Sequence, residues 1–375
     1  MQLPLAQATA EPLSGDYRLV VCSIGQATPA SAKSIALGLG VPVQRVLDAL
    51  YRAPAILVDN IPFDTAQQMQ DLLDTLGYDT RVEHCQQPSA VQAECFDIAA
   101  YITDEQHYDR IVAELARFLG TDESEASRLL TTPPGIVIGN VTQATLDALT
   151  GRLGEGVELI ASNPATALYD LFLAVDSADQ ARRTCQELRR RGYSLIADQG
   201  CVLIDMSKPE ADRLWSSFQR ANTLRVINQD FLRFDLVLTE PGSGLSDAAH
   251  RVLSELAGIP DHIIPRLFEA TPVTLVEALP KGQLERFMLA FSEAGLSVRA
   301  DLISFMHLGL KITRTAQPSL LNQTLRSLGL LDTKRNHLPE LPFQLPCVLP
   351  ELQARVIRYA LRTAGTEAEL VEVSA

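Results

Sequence analysis

A short apolar run, framed by a proline or small residue and a polar turn, recurs along the chain. It reads APAILVDNIP at 53–62, PPGIVIGN at 133–140 and TPVTLVEALP at 271–280. Each run has the length of a strand and leads through its turn into residues with apolar positions at helical spacing. The recurrence predicts that one structural unit is repeated within the chain.

The first copy shows the order of elements in the unit. YRLVVCSI at 17–24 predicts an opening strand, and two helical stretches separate it from the strand in APAILVDNIP. A helix over DTAQQMQDLLDTLGY ends at Gly77, and the alternating residues DTRVE predict a third strand. The predicted order is therefore β-α-α-β-α-β.

The same order returns four times, with variations. The third copy leaves little room for a second helix before Cys201. The middle of the fifth copy, DTKRNHLPELPFQ, carries prolines, which lack the backbone donor of a regular element, and is predicted to be irregular. The five opening strands are predicted to begin at Tyr17, Phe96, Tyr169, Phe234 and Met306.

The predicted fold class is α+β: five tandem small domains, each β-α-α-β-α-β with a three-stranded antiparallel-type sheet covered by helices. The opening strands are spaced by roughly 65–80 residues, which suits a small domain. The predicted boundaries are a disordered leader at 1–16, then modules at 17–86, 95–163, 168–229 (shortened), 231–303 and 305–375 (divergent).

Composition and charge narrow the functional classes. The chain has 375 residues and a formal net charge of −14, and no apolar run approaches the length of about 18–20 residues that spans a membrane. Phosphate binding requires clustered basic residues, so we expect no nucleic-acid partner. Because no apolar run is long enough to span a bilayer, we also expect no membrane insertion. The six cysteines form no CxxC pair and are typical of reduced, mostly buried thiols in a cytoplasmic protein. The N-terminus does not read as a signal peptide.

Catalytic and metal-binding motifs do not emerge. The six histidines show no HxxxH or HxH spacing, and no serine stands in a GxSxG turn. Gly242-x-Gly244 lacks the remainder of a phosphate-binding loop and favours a flexible turn with Ser246 as the N-cap of a helix. We therefore predict no catalytic residue, no metal site and no cofactor.

Short motifs at helix ends and in closing strands are shared with a known domain family: Gly38-Leu39-Gly40, Ala53-Pro54, Leu76-Gly77, Arg81-Val82-Glu83, Ala294-Gly295 and Ala364-Gly365. Through them the repeated unit resembles the C-terminal domain of the bacterial ribosomal large-subunit stalk protein, a fold also used by the protease adaptor ClpS. In that family the domain is not an enzyme and captures translation GTPases through a basic patch on its first two helices. Lys33 is the residue of this chain that falls on that patch, and Ser34, Ala36 and Gln44 around it are uncharged. The resemblance thus implies the fold and a docking role.

Two other features are candidate binding surfaces. RRTCQELRRRG at 182–192 is a basic run in an acidic chain, and Arg182, Arg189 and Arg190 would share one helix face. It is interpreted either as a solvated face paired with acidic neighbours or as a contact to an acidic partner or another copy of the chain. Trp215, the only tryptophan, favours core or inter-module packing over a role as a binding hot spot.

Two functional hypotheses remain open. The first is a non-catalytic scaffold or adaptor whose tandem domains dock other proteins, with self-association as a further possibility. The second is a ligand-sensing or enzymatic protein with a pocket at an interface between modules. The count of three strands per copy distinguishes the unit from four-stranded ligand-sensing domains and favours the scaffold.

Overall fold

The computed structural model describes residues 15–87, 94–174, 177–196, 199–219, 223–240, 246–331 and 338–372. Residues 1–14 of the predicted leader and the predicted turn around Gly242 and Gly244 lie outside these ranges. The chain forms two compact units. The first comprises Met1–Ile98, His107–Leu129 and Val137–Ala161, and the second comprises Ala99–Gln106, Leu130–Ile136 and Ser162–Ala375.

The N-terminal stretches follow the predicted element order. The first contains β1 (Tyr17–Ser23), α1 (Ala32–Leu39), α2 (Val43–Tyr51), β2 (Ala55–Ile61), α3 (Phe63–Thr75) and β3 (Asp79–His84). The next contains β4 (Phe96–Ile102), α4 (Tyr108–Leu119), α5 (Glu123–Thr131), β5 (Ile136–Val141), α6 (Gln143–Leu153) and β6 (Val157–Ser162). Gly40 and Gly120 end α1 and α4 in the left-handed conformation, which glycine adopts without steric cost.

The middle of the chain is more varied. The third stretch contains β7 (Tyr169–Leu173), α7 (Ala178–Arg190), β8 (Cys201–Met206), α8 (Lys208–Phe218) and β9 (Leu224–Asn228). The described residues between β7 and β8 hold one helix, α7. The fourth contains β10 (Arg233–Glu240), α9 (Asp247–Arg251), α10 (Ile264–Leu267), β11 (Val273–Pro280), α11 (Lys281–Glu293) and β12 (Ser297–Leu302).

Two predicted helices of the fourth stretch are shorter than expected. The first passes from α9 into a π-helical turn at Val252–Leu256, and the second is reduced to the four residues of α10. Pro260 and Pro265 supply no backbone donor, which limits helix length in this region. The predicted N-cap is confirmed, because the Ser246 hydroxyl accepts a 3.0 Å hydrogen bond from the backbone N–H of Ala249.

The last stretch departs most from its prediction. It contains β13 (His307–Thr315), α12 (Pro318–Ser327), β14 (Phe343–Gln344), β15 (Leu349–Pro350), α13 (Glu351–Thr363) and β16 (Thr366–Glu372). The second strand is predicted at CVL (347–349). The structure has two short strands instead, β14 and β15, on either side of Pro346. β14 also forms within the segment that was predicted to be irregular, whose residues 332–337 lie outside the described ranges.

The opening strand of each stretch is the central strand of a small sheet. The orders are β2-β1-β3, β5-β4-β6, β8-β7-β9 and β11-β10-β12, and in the last sheet β13 pairs with β14 and β15 on one side and β16 on the other. The registers of β1, β7, β10 and β13 are antiparallel. A mixed α+β fold with small antiparallel sheets is thus confirmed, and the expectation of three strands is wrong for the last sheet.

In three of these sheets, an aspartate of the opening strand accepts a hydrogen bond from a backbone N–H group within the second strand. The Oδ1 atoms of Asp97, Asp170 and Asp235 accept hydrogen bonds of 3.0, 3.2 and 2.8 Å from the backbone N–H groups of later residues. The residues that donate these N–H groups have positive φ, a conformation that asparagine and aspartate tolerate better than alanine. They are Asn140 (φ 60°), Asp205 (φ 57°) and Ala278 (φ 52°).

The buried side chains of the second unit cluster sheet by sheet. One cluster lies around Leu171 and Leu214, another around Leu236 and Phe291, and a third around Leu310. Phe172, Cys201, Ile227, Leu232 and Phe234 form a further cluster, which joins the β7 and β10 sheets. Cys201 is buried and the other five cysteines are half-buried, so the expectation of mostly buried thiols is wrong.

Candidate functional site

The predicted binding residues lie on exposed helix surfaces. Lys33 is exposed on α1 of the first unit, and Trp215 leaves 45% of its surface exposed on α8 of the second unit. Of the two roles favoured for Trp215, packing in the core is therefore wrong, and packing between modules stays a prediction. Its neighbours Leu214 and Phe218 take the buried positions of the helix instead.

Acidic neighbours pair with most of the predicted arginine face on α7. Arg182 forms an ion pair with Asp179, while Arg190 and Arg191 lie 3.7 and 3.0 Å from Glu187. These pairs are exposed and contribute little to stability. Among the described residues, Arg189 forms no ion pair.

An ionic network that sequence reasoning did not identify lies in the second unit. The Nε atom of Arg355, in α13, lies 2.9 Å from Glu351 and 3.1 Å from Glu105. The same guanidinium donates to the Tyr101 hydroxyl at 3.2 Å and to the carbonyl oxygen of Ile102 at 2.5 Å. Only 15% of the Arg355 side chain is exposed, so this network joins the end of β4 to α13 in a partly desolvated place.

A second arginine approaches the same tyrosine. The guanidinium carbons of Arg233 and Arg355 lie 4.9 and 5.2 Å from the ring centroid of Tyr101, within cation–π distance. Arg233 is 4% exposed and donates to the carbonyl oxygen of Ala278 at 3.0 Å. Tyr101 therefore connects residues of β4, β10 and α13.

A small cavity of about 50 Å³ adjoins this network. Its lining includes Tyr101, Arg233, Ser304 and Glu351. A water occupies about 30 Å³ of the liquid, whereas pockets for small organic ligands measure about 300–1,000 Å³. The cavity is therefore far smaller than the usual pocket for a metabolite.

Burial controls the protonation of the carboxyl groups here. It raises the pKa of Glu351, although the nearby charge of Arg355 lowers it. Burial likewise raises the pKa of Asp235, against the hydrogen bond from the Ala278 N–H. The pKa of Tyr101 is also raised by burial, so its phenol stays protonated as a hydrogen-bonding group. The network is therefore a structural brace, meaning a set of contacts that holds β4 and α13 together.

A similar brace operates in the first unit. The Arg152 guanidinium, in α6, donates to the carbonyl oxygens of Gly25 and Ala27 at 2.6 and 2.5 Å. It also lies 5.0 Å from the ring centroid of Phe118. The hydroxyls of Thr142 and Thr145 donate to the carbonyl oxygens of Ala53 and Tyr51, the latter at 2.7 Å. These contacts attach α6 to the β1–α1 loop and the end of α2.

Replacement of Arg152 tests the brace of the first unit. We expect Arg152→Met to lower the free energy of unfolding of the first unit by about 1–3 kcal/mol, because two partly buried carbonyl groups lose a charged donor. Hydrogen exchange of the β1–α1 loop measures the change. Arg117→Met removes an exposed pair with Glu114 and should cost less than about 1 kcal/mol. Equal effects of the two variants would contradict the brace.

The pH dependence of stability should report the buried carboxyl of Glu351. Because its pKa is raised in the folded state, its stabilising contribution is complete below the ordinary value of about 4.3 and is lost as the pH rises through the folded pKa. The difference in unfolding free energy between wild type and Glu351→Gln should therefore fall as the pH rises. Urea unfolding over a series of pH values measures it.

Glu83 supplies a control of opposite sign. Burial alone would raise the pKa of Glu83, but hydrogen bonds from Arg18 and Arg81 lower it. Its contribution is present above the ordinary pKa and is lost as the pH falls through the lowered value. The wild-type advantage over Glu83→Gln should thus grow with pH. Parallel curves for the two variants would contradict the assignment.

Metal and membrane signatures are not evident in the described ranges. There, no group of three or more histidine, cysteine, aspartate or glutamate side chains is placed to hold a metal ion. Within the same residues, the helices are all too short or too polar to cross a membrane.

Comparison of the chain with known proteins gives no match to a family model, to a curated protein or to a solved structure.

Proposed function

We propose that this chain is a non-catalytic protein-binding scaffold or adaptor, built from five tandem copies of a small α+β module that resembles the ribosomal stalk domain. It would serve as a structural subunit of a larger cytoplasmic assembly in bacteria. Docking surfaces on successive modules would act together, because linked sites raise the effective concentration of one another.

The observation that carries the proposal is the repeated sheet order. In each of the five sheets the opening strand is central, and a helix leads from the second strand to the last one. Repetition of a whole folding unit multiplies exposed surface, whereas a catalytic site needs different residues converging at one place.

The use of charged residues also favours docking over catalysis. Arg152 and Arg355 contact backbone carbonyl groups and neighbouring side chains, and both thereby hold separate segments together. Exposed residues such as Trp215 and Arg189 remain on helix surfaces, where a partner protein has access to them.

Affinity purification of the tagged full chain from its native cells, followed by mass spectrometry, tests this function. We expect a reproducible protein partner that is lost with Trp215→Ala or Lys33→Glu while the thermal midpoint is unchanged. Arg117→Glu serves as a control for exposed charge. Retention of no protein partner by the correctly folded chain would contradict the scaffold.

A ligand-sensing or enzymatic protein is the second candidate. It rests on the cavity beside Tyr101, Arg233 and Glu351, to which separate segments of the second unit contribute. Its volume of about 50 Å³ gives this function less support. A metabolite that raises the thermal midpoint of the full chain, in a screen run without partner proteins, would favour it.

A further inference from the structure

An open groove of about 340 Å³ runs between α13 and the start of β16 in the second unit. Arg355, Arg358, Tyr359 and Arg362 line it from the helix. Arg358 and Tyr359 lie three and four residues after Arg355, and Arg362 lies four and three residues after them, so these side chains share one side of α13. Its volume falls in the range of ligand-binding clefts, and it is distinct from the small cavity beside Arg233.

Two of the three arginines form no ion pair within the described residues, although the charge of Arg358 lowers the pKa of Glu351. Arg355 is committed to Glu105 and Glu351, whereas Arg358 and Arg362 form no ion pair there. The acidic side chains of the groove already have basic neighbours, because Glu105 contacts Arg355 and Glu367 lies 3.9 Å from Arg314. In a chain of net charge −14, this is a local positive surface.

The spacing of the two arginines suits an extended acidic segment. Residues four apart on a helix are separated by about 6 Å along its axis. Side chains two apart on a strand face the same way and are separated by about 6.6 Å. Carboxylates at alternate positions of an extended peptide can therefore meet Arg358 and Arg362 together, each through charge-assisted hydrogen bonds.

Two further features of the groove favour a peptide. β16 pairs with β13 along one edge, and no other described strand covers its second edge. Such an edge offers backbone groups to an added extended segment. The ring of Tyr359 lies 5.4 Å from the guanidinium carbon of Arg362 and adds an apolar contact surface.

We propose that this groove binds an extended acidic segment of a partner protein, with carboxylates at alternate positions against Arg358 and Arg362. This rests on the proposed docking function and names the class of partner. Glu369 and Glu367 of β16 lie 3.8 and 3.9 Å from Lys311 and Arg314, so both carboxylates already have a basic neighbour.

Fluorescence anisotropy with the full chain tests the groove. The probe is a labelled seven-residue peptide with glutamates at its third and fifth positions and threonines around them. We expect binding that weakens with added salt and is lost when the glutamates become glutamines. Arg358→Glu with Arg362→Glu should weaken binding by at least about tenfold, and the neutral pair Arg358→Gln with Arg362→Gln by less.

The matched control is Arg213→Glu with Arg286→Glu, which changes the net charge equally at two exposed arginines of α8 and α11. The control substitutions should leave the affinity for the peptide within about twofold, since they act only through long-range charge. An equal loss with this control, or equal binding of the glutamine peptide, would overturn the proposal. A further contradiction would be a sedimentation result in which Arg358→Glu with Arg362→Glu dissociates a self-associated form of the chain while the peptide fails to bind.

The outcome for the groove can be separated from that of the scaffold. If Arg358→Glu with Arg362→Glu still captures the native partner and the peptide does not bind, the groove proposal fails and the scaffold stands. If the peptide binds as expected and no native partner is recovered, the proposed function fails and the groove assignment stands.

Discussion

Arg355→Ala is expected to destabilise the second unit by about 3–5 kcal/mol, the cost of leaving buried charges without their partner. The substitution removes the group that pairs with Glu105 and Glu351 and that donates to the carbonyl of Ile102. Burial already raises the pKa of Glu351, so loss of the guanidinium should raise it further. The variant should therefore recover part of its stability at acidic pH.

Hydrogen exchange of residues 99–106 and 351–357, with urea unfolding at several pH values, measures this effect. Arg358→Ala is the matched control on the same helix, and we expect it to change stability by less than about 0.5 kcal/mol. Restoration by Arg355→Lys should be incomplete, because one ammonium group cannot reproduce the planar fork of guanidinium donors. An Arg355→Ala chain as stable as the control would show that the network is not a brace.

Phe118→Ala is expected to destabilise the first unit by about 3–5 kcal/mol, the usual cost of truncating a buried aromatic ring. Phe118 is fully buried, and its ring centroid lies 6.0 Å from that of Tyr51. Arg152 stacks on the same ring while it donates to Gly25 and Ala27. The cavity left by alanine would therefore weaken the packing of α4 and the attachment of α6 together.

The effect is measured by urea unfolding monitored by circular dichroism and by exchange of the amides in β1 and α6. Phe118→Leu should cost less, since it fills more of the space. Leu37→Ala provides an exposed control, because Leu37 is 85% exposed and should be replaceable within about 0.5 kcal/mol. A loss confined to α4, with α6 unaffected, would contradict the coupling through Phe118.

Local patterns in the sequence predicted much of the fold. The apolar opening runs became β1, β4, β7, β10 and β13, and Ser246 caps the helix that follows it. These features depend on neighbours within a few residues, which a sequence shows directly. The central position of each opening strand depends on pairing over longer distances and was not predicted.

The long-range contacts account for most of what was missed. Glu351 and Arg355 stand four residues apart and resemble an ordinary exposed helix pair. Their burial depends on Tyr101 and Glu105, about 250 residues earlier, a proximity that no local pattern reveals. The aspartates that bond to the second strands left a weak signal in the sequence. It is the aromatic–aspartate pair at or near the start of FDIAAYI, YDLFL and RFDLVL.

Burial was also hard to anticipate for single residues. Trp215 was expected to pack, but Leu214 and Phe218 already occupy the inward side of α8. A tryptophan adjacent to buried positions lies at the margin of the helix face, where periodicity alone does not decide. The two short strands β14 and β15 lie on either side of Pro346, and their pairing with β13 was visible only in the structure.

Amide-resolved hydrogen exchange of the full chain tests most directly the claim that one small sheet is repeated along it. We predict five separate maxima of protection, at β1, β4, β7, β10 and β13, because each of these strands is hydrogen-bonded along both edges. The flanking strands should exchange faster within every sheet. Maximal protection in a flanking strand, or one continuous protected block across several sheets, would contradict the repeated unit.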